Sequence, residues 1–316
     1  MPVRQKLLPT PSGVAAGQFT VFNLPVGLRY HAIWLELGDN GTGSNNTNDS
    51  AATLIGALPN LVDEIRVMVN GKPQRIMLGT ELYGLNLLNC QTGNSDYTAK
   101  SSGTLGNANY RIYLPIWFAE PWRSNNSDVQ ASAWNAVGID SFQLWVKIPT
   151  ALSGQSGNVC TGWIEYDDPI SNQMGLITKW IRQSVTAVGT VQDLNTISRR
   201  DILQCVSFFP ISSVYVNKLR MLMNNVEYRD LLTTLENQAT LLGRNMSPEG
   251  GTGFVSGTVT PQTSSAPRFD YVIDYTDPVS AGLNANGARD LTFHLEYSSS
   301  ANGTMIVIIQ QIGTPD

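Results

Sequence analysis

Charge, histidine, cysteine and long apolar runs are all scarce in this chain, and each shortage removes a class of function. Charged residues make up 14% of the 316, against about 25% in an average globular protein. The net charge is −5 and no basic run exceeds Arg199-Arg200, so the electrostatic groove that nucleic-acid binding relies on is missing. The only histidines, His31 and His294, sit apart in strand-like patterns, without the partners that a metal centre or general base requires. Cys90, Cys160 and Cys205 are odd in number and show no C-x-x-C spacing, which disfavours a disulfide framework or a zinc site. Nothing approaches the ~18 apolar residues of a membrane span. Met1 to Lys6 leads into Leu7-Leu8-Pro9, too short for the apolar core of a signal peptide, so synthesis in the cytoplasm is expected.

Catalytic motifs are missing too. The string nearest to a nucleophile elbow, Gly154-Gln155-Ser156-Gly157, lacks the G-x-S-x-G spacing. Gly41-Thr42-Gly43 and Gly251-Thr252-Gly253 read as turn glycines, with no preceding strand and following helix to cradle phosphate. Two carboxylates suffice for glycoside hydrolysis, and two groups qualify by position: Glu165, Asp167 and Asp168 at one strand end, and Asp270, Asp274 and Asp277 along another. Carboxylates at strand ends more often cap turns or face solvent. Calcium takes such oxygen ligands, but no EF-hand pattern accompanies them, and a metal is left unassigned. The N-x-S/T sequons at Asn45, Asn48, Asn125, Asn245 and Asn302 read as chance in an Asn- and Thr-rich chain. Ile116 to Trp122, rich in aromatics and broken by Pro121, reads as a strand ending at a packed corner, with a sugar platform as the second reading. Neither enzymatic activity nor a cofactor is expected.

What the chain does have is alternation and repetition. Phe19 to Phe22 and Tyr30 to Leu37 alternate apolar and polar residues between Gly and Pro turns, the mark of half-buried strands. Ile65 to Gly71 recurs 154 residues later as Leu219 to Asn225, and Arg75, Leu78 and Thr80 recur as Arg229, Leu232 and Thr234. A period of half the chain is too long for a solenoid and predicts two tandem domains. Each copy reads as strand, tight turn, short strand and helix: Asn70-Gly71 is a hairpin turn, Leu82, Leu85 and Asn89 mark the first helix, and Tyr228 to Leu242 the second. Further strands are expected at Tyr110–Phe118, Phe142–Ile148, Val159–Tyr166, Thr186–Val191, Ile202–Phe209, Val216–Met223, Phe269–Tyr275, Leu291–Tyr297 and Met305–Ile312, with Phe142-Gln143-Leu144 answering Phe293-His294-Leu295. Asp128 to Val137 reads as a short helix. Ile170, Met174, Ile177 and Ile181 recur at helical spacing and predict a connector helix. Many short, non-locally paired strands suit jelly rolls. The expectation is an all-β chain of two tandem eight-stranded jelly rolls with a few short helices: 1–168, N-terminal arm and first roll; 169–316, connector helix and second roll.

These features resemble the double jelly-roll major capsid proteins of icosahedral bacteriophages with an internal membrane, of the corticovirus type within the wider tectivirus and adenovirus lineage. The resemblance rests on Val14-Ala15-Ala16-Gly17 followed by Leu24-Pro25-Val26-Gly27, on the Ile65–Gly71 strand and turn, on Tyr228-Arg229-Asp230-Leu231-Leu232, and on the Ile116–Arg123 strand end. It implies a structural shell protein found in the virion, and in host cytoplasm before assembly. Its partners would be two further copies in a pseudo-hexagonal homotrimer, neighbouring capsomers, minor vertex and membrane proteins, and the internal viral membrane. Arg4 and Lys6, ahead of Pro9-Thr10-Pro11, are expected outside the first roll on an arm facing that membrane. The loops at 92–108 and 247–267 are expected on the outer face. The alternative is a tandem β-sandwich spike or adhesin that binds carbohydrate or a receptor.

Overall fold

In the computed structural model the described residues are 3–39, 58, 61–89, 100–102, 111–121, 130–150, 158–209, 216–232, 271–274 and 282–316. The first roll is built from strands β1 (Arg4–Leu7), β2 (Phe19–Asn23), β3 (Leu28–Asp39), β4 (Glu64–Val69), β5 (Lys72–Leu78), β6 (Lys100–Ser102), β7 (Arg111–Trp117), β8 (Trp134–Ala136), β9 (Phe142–Lys147) and β10 (Asn158–Asp167). Their pairings nest. β4 pairs with β5, β3 with β7, β2 with β9 and β1 with β10, all antiparallel. The β3–β10 and β4–β9 ladders then close the nest into two sheets. One sheet runs β1-β10-β3-β7, with β6 beyond β7 and β8 beside β3; the other runs β2-β9-β4-β5. A hairpin of hairpins folded over so that its strands alternate between two sheets is the jelly-roll topology. Phe22, Tyr30, Ile33, Leu35, Val67, Phe142 and Leu144 fill the space between the sheets and are fully buried.

The second roll uses β11 (Ile177–Leu194), β12 (Ile202–Phe209), β13 (Val216–Met223), β14 (Val226–Leu232), β15 (Tyr271–Asp274), β16 (Leu283–Asn284) and β17 (Leu291–Gly313). The same nest reappears with fewer breaks. β17 serves as two consecutive strands: Leu291–Tyr297 pairs with β13, and Ile306–Ile312 pairs with β12. β13 pairs with β14, β12 with β15, and β11 lies beside β17. Leu203, Val206, Phe208, Leu219, Met221, Phe293, Leu295, Val307 and Ile309 belong to one buried cluster. A compact unit ends at Ile177 and a second begins at Thr178, with Thr314–Asp316 grouped with the first.

The repeat holds at the level of single hydrogen bonds. Val69 pairs with Lys72 and Met223 with Val226, leaving two-residue turns in which Asn70 and Gly71, and likewise Asn224 and Asn225, all have positive φ. That is the type I′ turn, whose twist matches the flanking strands and which favours Asn and Gly. Two residues further on, both hairpins carry the same bulge: Val67 opposes Arg75 and Met68 opposes Pro73, as Met221 opposes Arg229 and Leu222 opposes Glu227. The first turn residue clips the chain entering the next strand. Asn70 Oδ1 accepts from the N–H of Asp140 (2.8 Å) and Ser141 (3.1 Å), and Asn70 N–H donates to Ser141 O. Asn224 Oδ1 accepts from Arg289 N–H (2.7 Å), and Asn224 N–H donates to Asp290 O.

Several sequence expectations are corrected here. The connector is not a helix: Ile177–Leu194 is a strand, and the stripe on which the helix rested is split, since Met174 and Ile177 are buried while Ile170 and Ile181 are exposed. Asn135 holds the preceding segment open by donating to Ser171 O and Gln173 O and accepting from Ile170 N–H. Trp134–Ala136 is a strand paired with β3, not the end of a helix; Asp128 lies outside the described residues. Tyr228 to Leu232 continues the hairpin up to Lys218 rather than opening a helix, and 233–242 lie outside the described residues. The first helix is present as α1 (Gly79–Asn89), with Glu81 reaching back to Leu78 N–H, half of a capping box. Arg4 and Lys6 lie in β1, inside the first roll. Finally, Phe142 answers Leu291, not Phe293, because Val69 opposes Phe142 as Met223 opposes Leu291.

We expect Asn70→Ala to cost about 1–3 kcal/mol in urea unfolding, from positive-φ strain plus the loss of two solvent-exposed hydrogen bonds. Asn70→Gly, which keeps the turn and loses only the clip, should cost about half as much.

Candidate functional site

The first roll carries its polar chemistry on the outer side of the β1-β10-β3-β7 sheet, and a bulge puts it there. β10 runs in step with β3 until Glu165 opposes Ala32; the next pair is Tyr166 with Tyr30, so His31 is the extra residue. Tyr30 therefore turns inward, 4.9 Å from the Phe142 ring, whereas Ala32, two residues on, packs outside with Trp34 and Trp117. Arg29 lies opposite Asp167 and forms a bidentate pair with it, Nε to Oδ1 at 2.8 Å and Nη2 to Oδ2 at 2.6 Å. His31 Nε2 is 3.2 Å from the same Oδ1, and Gln130 accepts from Arg29 at 2.7 Å. Arg29, His31 and Asp167 are 6%, 4% and 1% exposed. Burial lowers the His31 pKa, outweighing the Asp167 carboxylate, which raises it.

Beside this cluster an apolar row crosses four strands in register, Leu7 to Trp163 to Trp34 to Pro115. The Trp34 and Trp163 rings stack at 5.5 Å and Trp117 meets Trp34 edge-on at 5.6 Å. Glu165 accepts from Trp34 Nε1 and from Gln5, both at 3.2 Å.

The sequence-predicted carboxylates are thus dispersed. Glu165 faces the tryptophans, Asp167 is consumed by Arg29, and Asp168 pairs at the surface with Arg4 at 2.8 Å. Both oxygens of Asp167 are committed to the buried guanidinium, and the three carboxylates do not converge on one substrate position. Among the described residues no group of three or more His, Cys, Asp or Glu is placed to hold a metal ion. His294 pairs with Asp193 at 2.5 Å, and Asp274 lies on β15 opposite Cys205; Asp270 and Asp277 lie outside the described residues. Cys160 and Cys205 are buried thiols outside any disulfide, with the Cys160 thiol pushed up to about 12 by burial. Cys90, the three glycine strings and every sequon except Asn302 lie outside the described residues, as do the 92–108 and 247–267 loops apart from β6. The Ile116 string ends β7 at a packed corner, with Ile116, Trp117, Phe118 and Ala119 buried. Arg4 and Lys6 sit on an exposed strand. Among the described residues no helix is long and apolar enough to cross a membrane.

Sequence reasoning missed Arg29, Arg75 and Asn135. Arg75 is buried with its guanidinium 4.7 Å from the Trp134 ring and 5.1 Å from Phe118, donating to Trp117 O at 2.5 Å; burial pulls it down to about 9. Asn135 had a signal. Asn135-Ala136-Val137-Gly138 recurs as Asn284-Ala285-Asn286-Gly287, and both glycines have positive φ.

Two jelly rolls in one chain, each knit by the same nested register, make this a double jelly roll. Residues 5–156 match the family model for the viral coat protein P2 N-terminal domain. Comparison with curated proteins gives no match. Among solved structures, the chain is similar along its whole length to the major capsid protein P2 of bacteriophage PM2, at 14% identity and a TM-score of 0.67, covering 100% of this chain and 98% of that one. It is similar to a chain in the atomic structure of Sulfolobus turreted icosahedral virus at 13% identity and TM-score 0.64, covering 98% and 90%. It is also similar to a chain of the PBCV-1 virus capsid at 10% and 0.62, covering 98% and 93%. At these identities the likeness is one of fold.

Asp167→Ala leaves a guanidinium buried without its counter-charge, so we expect a loss of about 3–5 kcal/mol in denaturant unfolding. Asp168→Ala, which breaks only the exposed pair with Arg4, should cost under about 1 kcal/mol.

Proposed function

We propose that the chain is a structural major capsid protein whose homotrimers form pseudo-hexagonal capsomers tiling an icosahedral shell over an internal membrane. The observation that carries the reading is the duplicated roll. Two similar but non-identical rolls per chain, repeated by a three-fold axis, give six comparable blocks from one gene product. Such a block packs in flat facets and also beside five-fold vertices. Functionally the chain divides into 1–168, the first roll, and 169–316, the connecting segment and second roll. Low overall charge fits the same role, since charge is depleted at the cores of large interfaces. Its partners are then other copies of itself, with minor vertex and membrane proteins at the shell's edges, and no enzymatic step is part of the role.

Arg4 and Lys6 are the residues we assign to the membrane side. They lie at alternate positions of one exposed strand, so both point the same way, and each basic group near an anionic headgroup surface contributes ~1 kcal/mol. We expect Arg4→Gln/Lys6→Gln to keep its oligomeric state while binding to vesicles containing anionic lipid falls by about an order of magnitude. Unchanged vesicle binding would remove these residues from the membrane side.

Sedimentation velocity at micromolar concentration tests the subunit reading. We expect a trimer with no folded monomer, because obligate interfaces of this kind bury several thousand Å². A stable monomer with affinity for sugars would instead favour a tandem β-sandwich spike or adhesin.

A further inference from the structure

We propose that the Arg29–His31–Asp167 cluster is an acid-sensitive latch that holds the end of β10, and the segment following it, onto the first roll. The inference does not depend on the shell role. It starts from the comparison of the two rolls. In the second roll the equivalent bulge falls between Leu203 and Cys205, which oppose Gln311 and Gln310, so Gln204 is the extra residue where the first roll has His31. Ile202 opposes Ile312 where Arg29 opposes Asp167. Asn284 opposes Ile202 as Asn135 opposes Arg29. At these matched positions the joint carries neutral side chains in the second roll, with the Lys179–Asp201 pair one residue away, and an ion pair with a histidine in the first.

Burial, with the Arg29 guanidinium close by, makes protonation of His31 unfavourable in the folded state, against the pull of Asp167 and Glu165. On its own strand is Arg29; on β10 are Asp167 and Glu165. From the segment after β7 the N–H of Phe118 and of Ala119 donate to His31 O. Gln130, which accepts from Arg29, and Asn135, which lies opposite it, are neutral. Asp167 already spends both oxygens on Arg29, and Glu165 is engaged by Trp34 and Gln5. A proton on His31 places a second cation beside Arg29 with one shared carboxylate and almost no water. The sign follows from burial, which holds the folded His31 below its ordinary 6.5. As pH falls through that value the unfolded chain takes up a proton that the folded chain resists, so stability declines on acidification. What loosens is local: Asp167 ends β10, Asp168 carries the pair to Arg4, and Ile170 to Gln173 hang on Asn135.

The test is amide hydrogen exchange of the purified full chain at about pH 7.5 and about pH 5, corrected for intrinsic exchange rates. Segments 29–33 and 163–168 should lose protection by about tenfold or more, and segments 202–206 and 308–312 should change much less. Equal loss in both rolls, or no loss in the first, overturns the proposal. His31→Gln, which copies the residue the second roll carries in the same bulge, should abolish the selective loss; its persistence in a folded variant overturns the proposal. Should that variant not fold, His294→Gln decides. Selective loss must survive there, and its disappearance would place the switch at the other histidine.

Discussion

A two-residue turn with both residues at positive φ governs each roll. Asn70-Gly71 and Asn224-Asn225 reverse the chain so that β5 and β14 fall into one register with β4 and β13. In a β-structure a slip of one residue would send every core side chain to the solvent face. The same asparagines reach sideways to fix where β9 and β17 begin, through Asp140 and Ser141 in one roll and Arg289 and Asp290 in the other. One side chain thus couples a local turn to pairings with β9 and β17 many residues away. Those non-local pairings carry the loop-closure entropy of the fold, so a local device that sets their register matters most here.

The hairpins were legible because turn chemistry and alternation are local. The bounds expected for β12 and β13 are those the structure shows. The errors came where the determining contact was distant. Ile170, Met174, Ile177 and Ile181 have helical spacing, but Asn135 captures the first turn of that would-be helix and β11 takes the rest. Tyr228 to Leu232 has good helix formers, and pairing with β13 overrides them. Arg4 and Lys6 looked detached because prolines follow them, yet their strand is completed by β10, at the far end of the roll. The Asn-Ala-x-Gly repeat was hidden by a change of offset, 149 residues rather than 154. Of the charge cluster, Asp167 was visible as one of three carboxylates, but nothing in the sequence separates it from Asp168; the bulge at His31 does that.

The two rolls share backbone devices and differ in what they bury. The first buries Arg29, His31, Asp167 and Arg75 along with an aromatic core of Tyr30, Phe118, Trp134 and Phe142. Around its own joint the second has Ile202, Gln204 and Ile312, and its core is mostly aliphatic. Lys179 and Asp201 form its buried ion pair, at 2.5 Å. A duplicated scaffold with divergent interiors suits a role in which the two halves occupy comparable but unequal positions. It offers no converging catalytic set among the described residues, and the chemistry on the first roll's outer sheet face serves to hold strands and segments in place.

The central claim, that the duplicated roll is a shell building block, is tested most directly by electron cryomicroscopy of particles that contain this chain. The account predicts icosahedral particles whose facets are paved by capsomers of hexagonal outline, three copies of this chain to each, with the chain as the most abundant protein. Particles in which the chain is confined to a few vertex spikes, with the facets built from another protein, would contradict it.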